Sequence, residues 1–287
     1  MLTDRQVAFY REQGYLILED VLPAAVVEAA RAVIDEAVEA ARPLTANDDR
    51  YDLEPGHSLE RPLVRRLKNP DRHWPVFADI VRSAAVLDRL EALVPVGIRL
   101  LGSKLNTKAA RAGSPVEWHQ DFAFHPHTNN DVLAIGLALD DMDEENGCLL
   151  YVPGSHLGPV LDHHQDGVFV GAVSATRYAA EIGRAIPAVA RAGSMVVHHG
   201  RMLHGSAPNR SERQRRLLLY DMAAVDAWPV GWDPGPLDAY DARILRGSPT
   251  IEPRVEALDI RIPMPKPERA ASIFELQEQA REGAFAR

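Results

Sequence analysis

The 287-residue chain contains one cysteine, Cys148. That excludes an internal disulfide and any zinc site built from several thiolates, so a metal would have to be held by histidine and carboxylate. No apolar run approaches the roughly 18 residues a membrane-spanning helix needs. The opening MLTDRQVAFYREQ is charged and amphipathic where a secretory signal would be uninterruptedly apolar. Basic residues are in deficit, 32 Lys plus Arg against 41 Asp plus Glu for a formal charge of -9, so a phosphate backbone or an anionic membrane is repelled on average. The expectation is a cytoplasmic protein with no nucleic-acid or membrane partner, in which only local basic pockets could hold a small anion. What is abundant is apolar: 46% hydrophobic residues, enough at this length for a large core.

The first 96 residues read as mainly helical. Thr3 and Gln6 can form a capping box ahead of a helix that Gly14 ends, and YLILED looks like a short strand. Val27, Ala30, Ile34, Val38 and Ala41 then recur at helical spacing. The polar stretch at 42–60 suggests a flexible segment, and two further helices fit between Trp74 and Leu93, the second capped by Ser83. From Gly97 to about residue 225 the pattern changes to short β-type runs such as VLAIGLAL, SMVVHH and RLLLYDMAA, several of them apolar on both faces. Runs of this kind suit an antiparallel jelly roll with helices packed outside. Residues 226–287 read as a C-terminal extension, with PMPKPE (263–268) as a linker and a last helix beginning at Ser272, its apolar side formed by Ile273, Leu276 and Ala280. The whole is expected to be one domain.

The motif that carries chemistry is EWHQDFAFHPH, 117–127. His119 and Asp121 are two apart, and on a strand residues i and i+2 share a face. Two groups leave a divalent cation undersupplied, and His204, after the apolar run at 195–197, is the best third ligand. Two histidines and one carboxylate on one side of a metal, with the other side open, is an arrangement suited to Fe(II) that must also accept dioxygen and a co-substrate. The positive centre left by one carboxylate favours an anionic chelator. Arg215, eleven residues beyond His204, lies among leucines and needs an anionic partner, because an unpaired buried charge costs several kcal/mol, roughly 3–5. Its planar fork suits a dicarboxylate tail, with Ser206 adding a hydroxyl donor. Iron and 2-oxoglutarate are therefore expected together.

The sequence resembles the phytanoyl-CoA dioxygenase family of Fe(II)- and 2-oxoglutarate-dependent oxygenases. The resemblance rests on WHQD (118–121), DDMDEENGCLLYVPGSHLGPV (140–160) and HGSAPNRSERQRR (204–216), and with the flanking segments covers most of residues 3–225. It implies a double-stranded β-helix, the cupin-like jelly roll, with His119, Asp121 and His204 matching the iron ligands and Arg215 and Ser206 matching the 2-oxoglutarate contacts. It implies a reaction consuming dioxygen and releasing carbon dioxide and succinate while a small-molecule substrate is hydroxylated. Halogenating relatives have a small residue at the position of Asp121, so hydroxylation is preferred. One departure is Gly136, where the founding member has tryptophan near the co-substrate. Asn146 and Cys148 lie in the family's NGCL turn and are read as structural.

The remaining residues are open at this level. Lys104 and Lys108 could each reach an anionic co-substrate or substrate, although solvated lysines are the ordinary case. His164 and Asp166 repeat the His-Gln-Asp tripeptide but sit in a loop context; His198 and His199 suit core or supporting roles better than ligation. Phe122, Phe124, His125 and His127 are candidates for cavity walls. Arg210, Arg213 and Arg216 are expected at the surface. Two other classes remain possible: a cupin-like zinc hydrolase or isomerase, active without oxygen or 2-oxoglutarate, and a metal-binding barrel without catalysis. Neither requires an arginine at position 215.

Overall fold

The computed structural model describes residues 1–267 and 272–285. Helix α1 (Asp4–Gln13) carries the Thr3/Gln6 capping box and ends at Gly14, whose φ of 82° is the left-handed conformation that a side chain resists. It leads into β1 (Tyr15–Leu18) and then α2 (Ala24–Ala40), which buries Val27, Ala30 and Ile34. Strands β2 (Tyr51–Leu53) and β3 (Val64–Lys68) follow. Three short helices come next: α3 (Pro70–His73), α4 (Pro75–Arg82) and α5 (Ala84–Leu90), the last capped by the Ser83 hydroxyl.

The barrel strands are β4 (Ile98–Lys108), β5 (Val116–His119), β6 (Val132–Ala138), β7 (Leu150–Tyr151), β8 (His164–Gln165), β9 (Val168–Phe169), β10 (Ile186–Pro187), β11 (Met195–His199), β12 (His204–Ser206) and β13 (Arg215–Ala224), with α6 (Ala179–Ile182) before β10. The C-terminal part adds α7 (Leu237–Asp241), β14 (Ile244–Arg246) and α8 (Ile273–Gln277). A large antiparallel sheet runs β1-β11-β6-β13-β4-β3-β2, with β14 on β4; a smaller one runs β10-β7-β12-β5. The two face each other as a double-stranded β-helix. On its outer side the large sheet buries Leu105, Ile135, Leu137, Leu218 and Tyr220 in one core with Ile34, Phe77 and Leu87 of the helices. Each such side chain contributes about 1.5–3 kcal/mol when fully removed from water.

Several expectations need correction. The strand read from YLILED is β1, but β2 and β3 were not expected, and all three join the large sheet. The 42–60 stretch is pinned rather than loose: Asp48 accepts from the backbone of Arg50 and Tyr51, Asn47 accepts from Leu53 N–H, and buried Asp52 pairs with Lys68 at 2.7 Å. Side chains of Asx type replace backbone partners here. The last helix is capped by Ser272 as expected but stops at Gln277, so Ala280 is buried beyond its end. Of the 263–268 linker, Glu268 lies outside the described residues; Met264 and Pro265 dock through their carbonyls on His164 and on Phe169 N–H.

Candidate metal and co-substrate site

Strand β12 pairs antiparallel with β5 so that His204 lies directly opposite His119. The two imidazole centroids are 4.1 Å apart. Asp121 reaches the same point by a different route from that expected. β5 ends at His119, and Asp121 opens a single 3-10 turn, so the turn, not strand parity, brings the carboxylate back. Its oxygens lie 3.6 Å from His119 Nε2 and 3.9 Å from His204 Nε2. One ligand atom from each of the three falls within 4.8 Å of the others.

Both rings are set for coordination. His119 Nδ1 donates to Glu117 O at 2.8 Å and His204 Nδ1 to Met202 O at 2.9 Å. Each Nε2 therefore presents a lone pair inward, the usual outer-shell device for orienting a histidine ligand. Burial, reinforced by the neighbouring His119 and His198, holds His204 well below the ordinary histidine value, so the ring is neutral at physiological pH. Burial opposes ionisation of Asp121, but the nearby Lys104 ammonium and the hydrogen bond from His198 Nε2 outweigh it and keep the carboxyl well below its usual range. Imidazole nitrogens and a carboxylate are the donor set that borderline divalent iron accepts.

The same cavity, about 460 Å³ including its open mouth, extends from the triad past Leu149, Leu217 and Leu219 to Arg215. Arg215 is fully buried on β13. Its Nη2 donates to Gly147 O at 2.8 Å, but Nε and Nη1 have no partner among the described residues. Burial lowers its pKa to about 10, which still leaves it charged. Next to it, Lys108 Nζ donates to Ser206 Oγ at 2.8 Å and to the carbonyls of Ser206 and Ala207. Burial, reinforced by Arg215, holds Lys108 well below the ordinary lysine value; Nζ is still the donor to Ser206 Oγ, so the hydroxyl's own proton is free to be donated. Two unfilled guanidinium donors and a hydroxyl on an apolar floor fit a carboxylate, and a cation buried with donors unused is otherwise costly.

Lys104 lines this cavity too, but its ammonium is held by Asp221 at 3.1 and 3.2 Å. Lys108, not Lys104, is the lysine beside Ser206. Gly136 leaves no extra width: a Cβ there would meet Val196 Cγ2 at 2.9 Å and Leu217 Cδ1 at 3.1 Å, so these side chains occupy the space. The NGCL turn is structural, with Asn146 bonded to Asp141 and Asp143; its Gly147 carbonyl also braces Arg215.

Arg210 and Arg213 lie toward the surface as expected, Arg213 pairing with Asp143. Arg216 does not. It is 5% exposed and forms a fork with Asp140 at 2.8 and 2.9 Å, because on β13 it faces opposite to Arg215. His164 pairs with Asp162 in the β8-β9 hairpin, whose turn places Asp166 at φ 51°. His199 packs on Tyr10 and His156 away from the triad. Phe122 is core, whereas Phe124 sets its edge against the His119 ring at 5.7 Å. His125 is exposed, and His127 is buried against Trp232. Four contributors were not singled out in the sequence: Tyr151, His163, Gln120 and Ile273. His163 Nε2 accepts from the Gln120 backbone between the two ligands, and Ile273 of α8 reaches the cavity.

A double-stranded β-helix that gathers two histidines and one aspartate beside a buried cavity is the arrangement of a mononuclear non-haem iron oxygenase. The sequence profile of the phytanoyl-CoA dioxygenase (PhyH) family matches residues 10–217, and the chain belongs to that family. A probable alpha-ketoglutarate-dependent hypophosphite dioxygenase of Stutzerimonas stutzeri is 35% identical over 272 residues, covering 93% of this chain and 94% of its own. L-proline trans-4-hydroxylase of Streptomyces griseoviridis is 34% identical over 181 residues, 53% of this chain and 67% of its own. Among solved structures, EctD from S. alaskensis with bound Fe superposes with a TM-score of 0.66 at 21% identity, over 78% of this chain and 77% of that one. The complex of EctD with 2-oxoglutarate and 5-hydroxyectoine gives 0.66 at 20%, over 92% and 89%. The protein is an enzyme, a dioxygenase dependent on iron and 2-oxoglutarate. Among the described residues no helix is long and apolar enough to cross a membrane.

Proposed function

We propose that the enzyme couples decarboxylation of 2-oxoglutarate, with carbon dioxide and succinate as co-products, to hydroxylation of an unactivated C–H bond in a small organic substrate. The observation that carries the reading is the buried Arg215 with two unfilled donors in the same cavity as the His119, Asp121 and His204 cluster. Ferrous iron, when bound, supplies the activation of dioxygen that side chains cannot perform. The three ligands hold it on one side. Arg215 and the Ser206 hydroxyl, steadied by Lys108, take the distal carboxylate of 2-oxoglutarate. Leu149, Leu217 and Leu219 keep water from the connecting channel, which strengthens these charge contacts. Partly exposed Lys104 and buried Arg66 add positive charge to the lining of the same cavity, partly balanced by Asp221, and we assign Lys104 to the approach of an anionic co-substrate or substrate.

A second reading is favoured by similarity along nearly the whole chain to the relative named for hypophosphite. In that case a small phosphorus oxyanion would be oxidised at a P–H bond, and the cationic lining suits it equally. Anaerobic protein mixed with Fe(II) and 2-oxoglutarate should develop a weak visible charge-transfer band, and a correctly folded protein without one sinks the proposal. Succinate release stimulated by hypophosphite or by small organic acids then separates the two substrate readings. Asp121→Ala should abolish both band and turnover.

A further inference from the structure

Beside the metal cluster lies a buried pair of side chains that neither ligation nor co-substrate binding uses. His198 is on β11 of the large sheet, 1% exposed, and Tyr151 is on β7 of the small sheet, fully buried. Tyr151 Oη stands 3.0 Å from His198 Nδ1, and His198 Nε2 stands 2.9 Å from Asp121 Oδ2. An ionised carboxylate can only accept, so the proton between His198 and Asp121 belongs to Nε2. A neutral ring then has a lone pair at Nδ1, and the Tyr151 hydroxyl donates to it. The ring is anchored at both nitrogens, across the gap between the two sheets.

We propose that His198 is a positioning residue for the iron carboxylate, locked in one tautomer by Tyr151. By occupying Oδ2, the oxygen 3.9 Å from His204 Nε2, it leaves Oδ1, the oxygen 3.6 Å from His119 Nε2, as the one free to bind the metal. A carboxylate free at both oxygens can swing to bind through both, and would then take a place that the keto acid or dioxygen needs. The inference rests on the proposed iron and 2-oxoglutarate chemistry, and it explains why a third histidine lies with its ring centroid 4.4 Å from that of His204 yet has its nitrogens committed elsewhere. Outer partners of this kind alter metal affinity or activity by about 10–100-fold when removed.

The test uses full-length apoprotein titrated anaerobically with Fe(II), followed by calorimetry, and then with 2-oxoglutarate, followed by the visible band. His198→Phe is expected to weaken Fe(II) binding by about 10–100-fold and to shift or lose the band. His198→Gln, which keeps a donor, should recover most of that loss, and Tyr151→Phe should fall between wild type and His198→Phe. The thermal midpoint of each metal-free variant separates global destabilisation from the local effect. Wild-type affinity and band in His198→Phe overturn the proposal, as does a His198→Gln variant as impaired as His198→Phe. Should His198→Phe not fold, an unchanged Tyr151→Phe overturns it. A wild-type protein that shows no band defeats the proposed function itself, whereas a normal band with unaffected variants defeats only the role of His198.

Discussion

The two ends of the cavity are built on opposite principles. At the inner end, Arg215 and Lys108 are almost wholly buried, and among the described residues neither is paired with a carboxylate: Arg215 meets a carbonyl, Lys108 a hydroxyl and carbonyls. At the mouth, Lys104 is partly exposed and already paired with Asp221, Arg66 bonds Asn106 through Nε, and Ile273 arrives from the C-terminal helix. A buried cation without a counter-ion is a demand for one particular ligand. A half-exposed ion pair can be rearranged for many, which is how one barrel serves different substrates while keeping one co-substrate.

The sharpest way to break this contrast is Arg215→Ala. Removing one partner of a buried, hydrogen-bonded charge pair costs about 2–5 kcal/mol, so calorimetry should show 2-oxoglutarate affinity falling by at least about 30-fold while Fe(II) binding persists. Unchanged affinity would move the anchor elsewhere. Next comes acid. His163 and His199 are buried neutral with pKa values lowered to about 3, and His127 to about 4, all mainly by burial. The unfolded chain binds protons at these rings near pH 6.5 and the folded chain does not, so stability is full above that pH and is lost as pH falls toward 4. The slope is about 1.4 kcal/mol per pH unit for each ring, and chemical denaturation at pH 7, 6 and 5 should show it; a flat profile would mean that these rings protonate without unfolding.

At the mouth, Lys104→Met should raise the KM for the primary substrate by roughly 5-fold, the value of a partly screened ion pair of about 1 kcal/mol, and leave 2-oxoglutarate affinity nearly unchanged. A fall in 2-oxoglutarate affinity instead would assign Lys104 to the inner end. Smallest is Ser206→Ala, which removes one donor of about 0.5–1.5 kcal/mol and should weaken 2-oxoglutarate by several-fold in the same titration.

The inner end was legible in the sequence because its determinants are few and local to identifiable segments. His119, Asp121 and His204 are residue types suited to iron, and Arg215 is conspicuous among leucines. The helices before Gly97 were equally plain, since capping by Thr3 and Ser83 and a 3.6-residue period are local signals. Arg216 was misjudged because β13 is apolar on both faces, so alternation does not say which neighbouring arginine turns in. Between Lys104 and Lys108 alternation could not choose at all, because both lysines stand on one face of β4 four residues apart.

By itself, then, the order of residues determined which groups could bind metal and that a guanidinium stands among leucines at position 215, because chemical type and apolar patterning are properties of the chain. Tertiary structure decided how Asp121 turns back to the histidines, which lysine reaches Ser206, and that Tyr151 and His198 meet between sheets. Those depend on strand register and on a turn of three residues, and a shift of one position in either would send the same side chains to the opposite face.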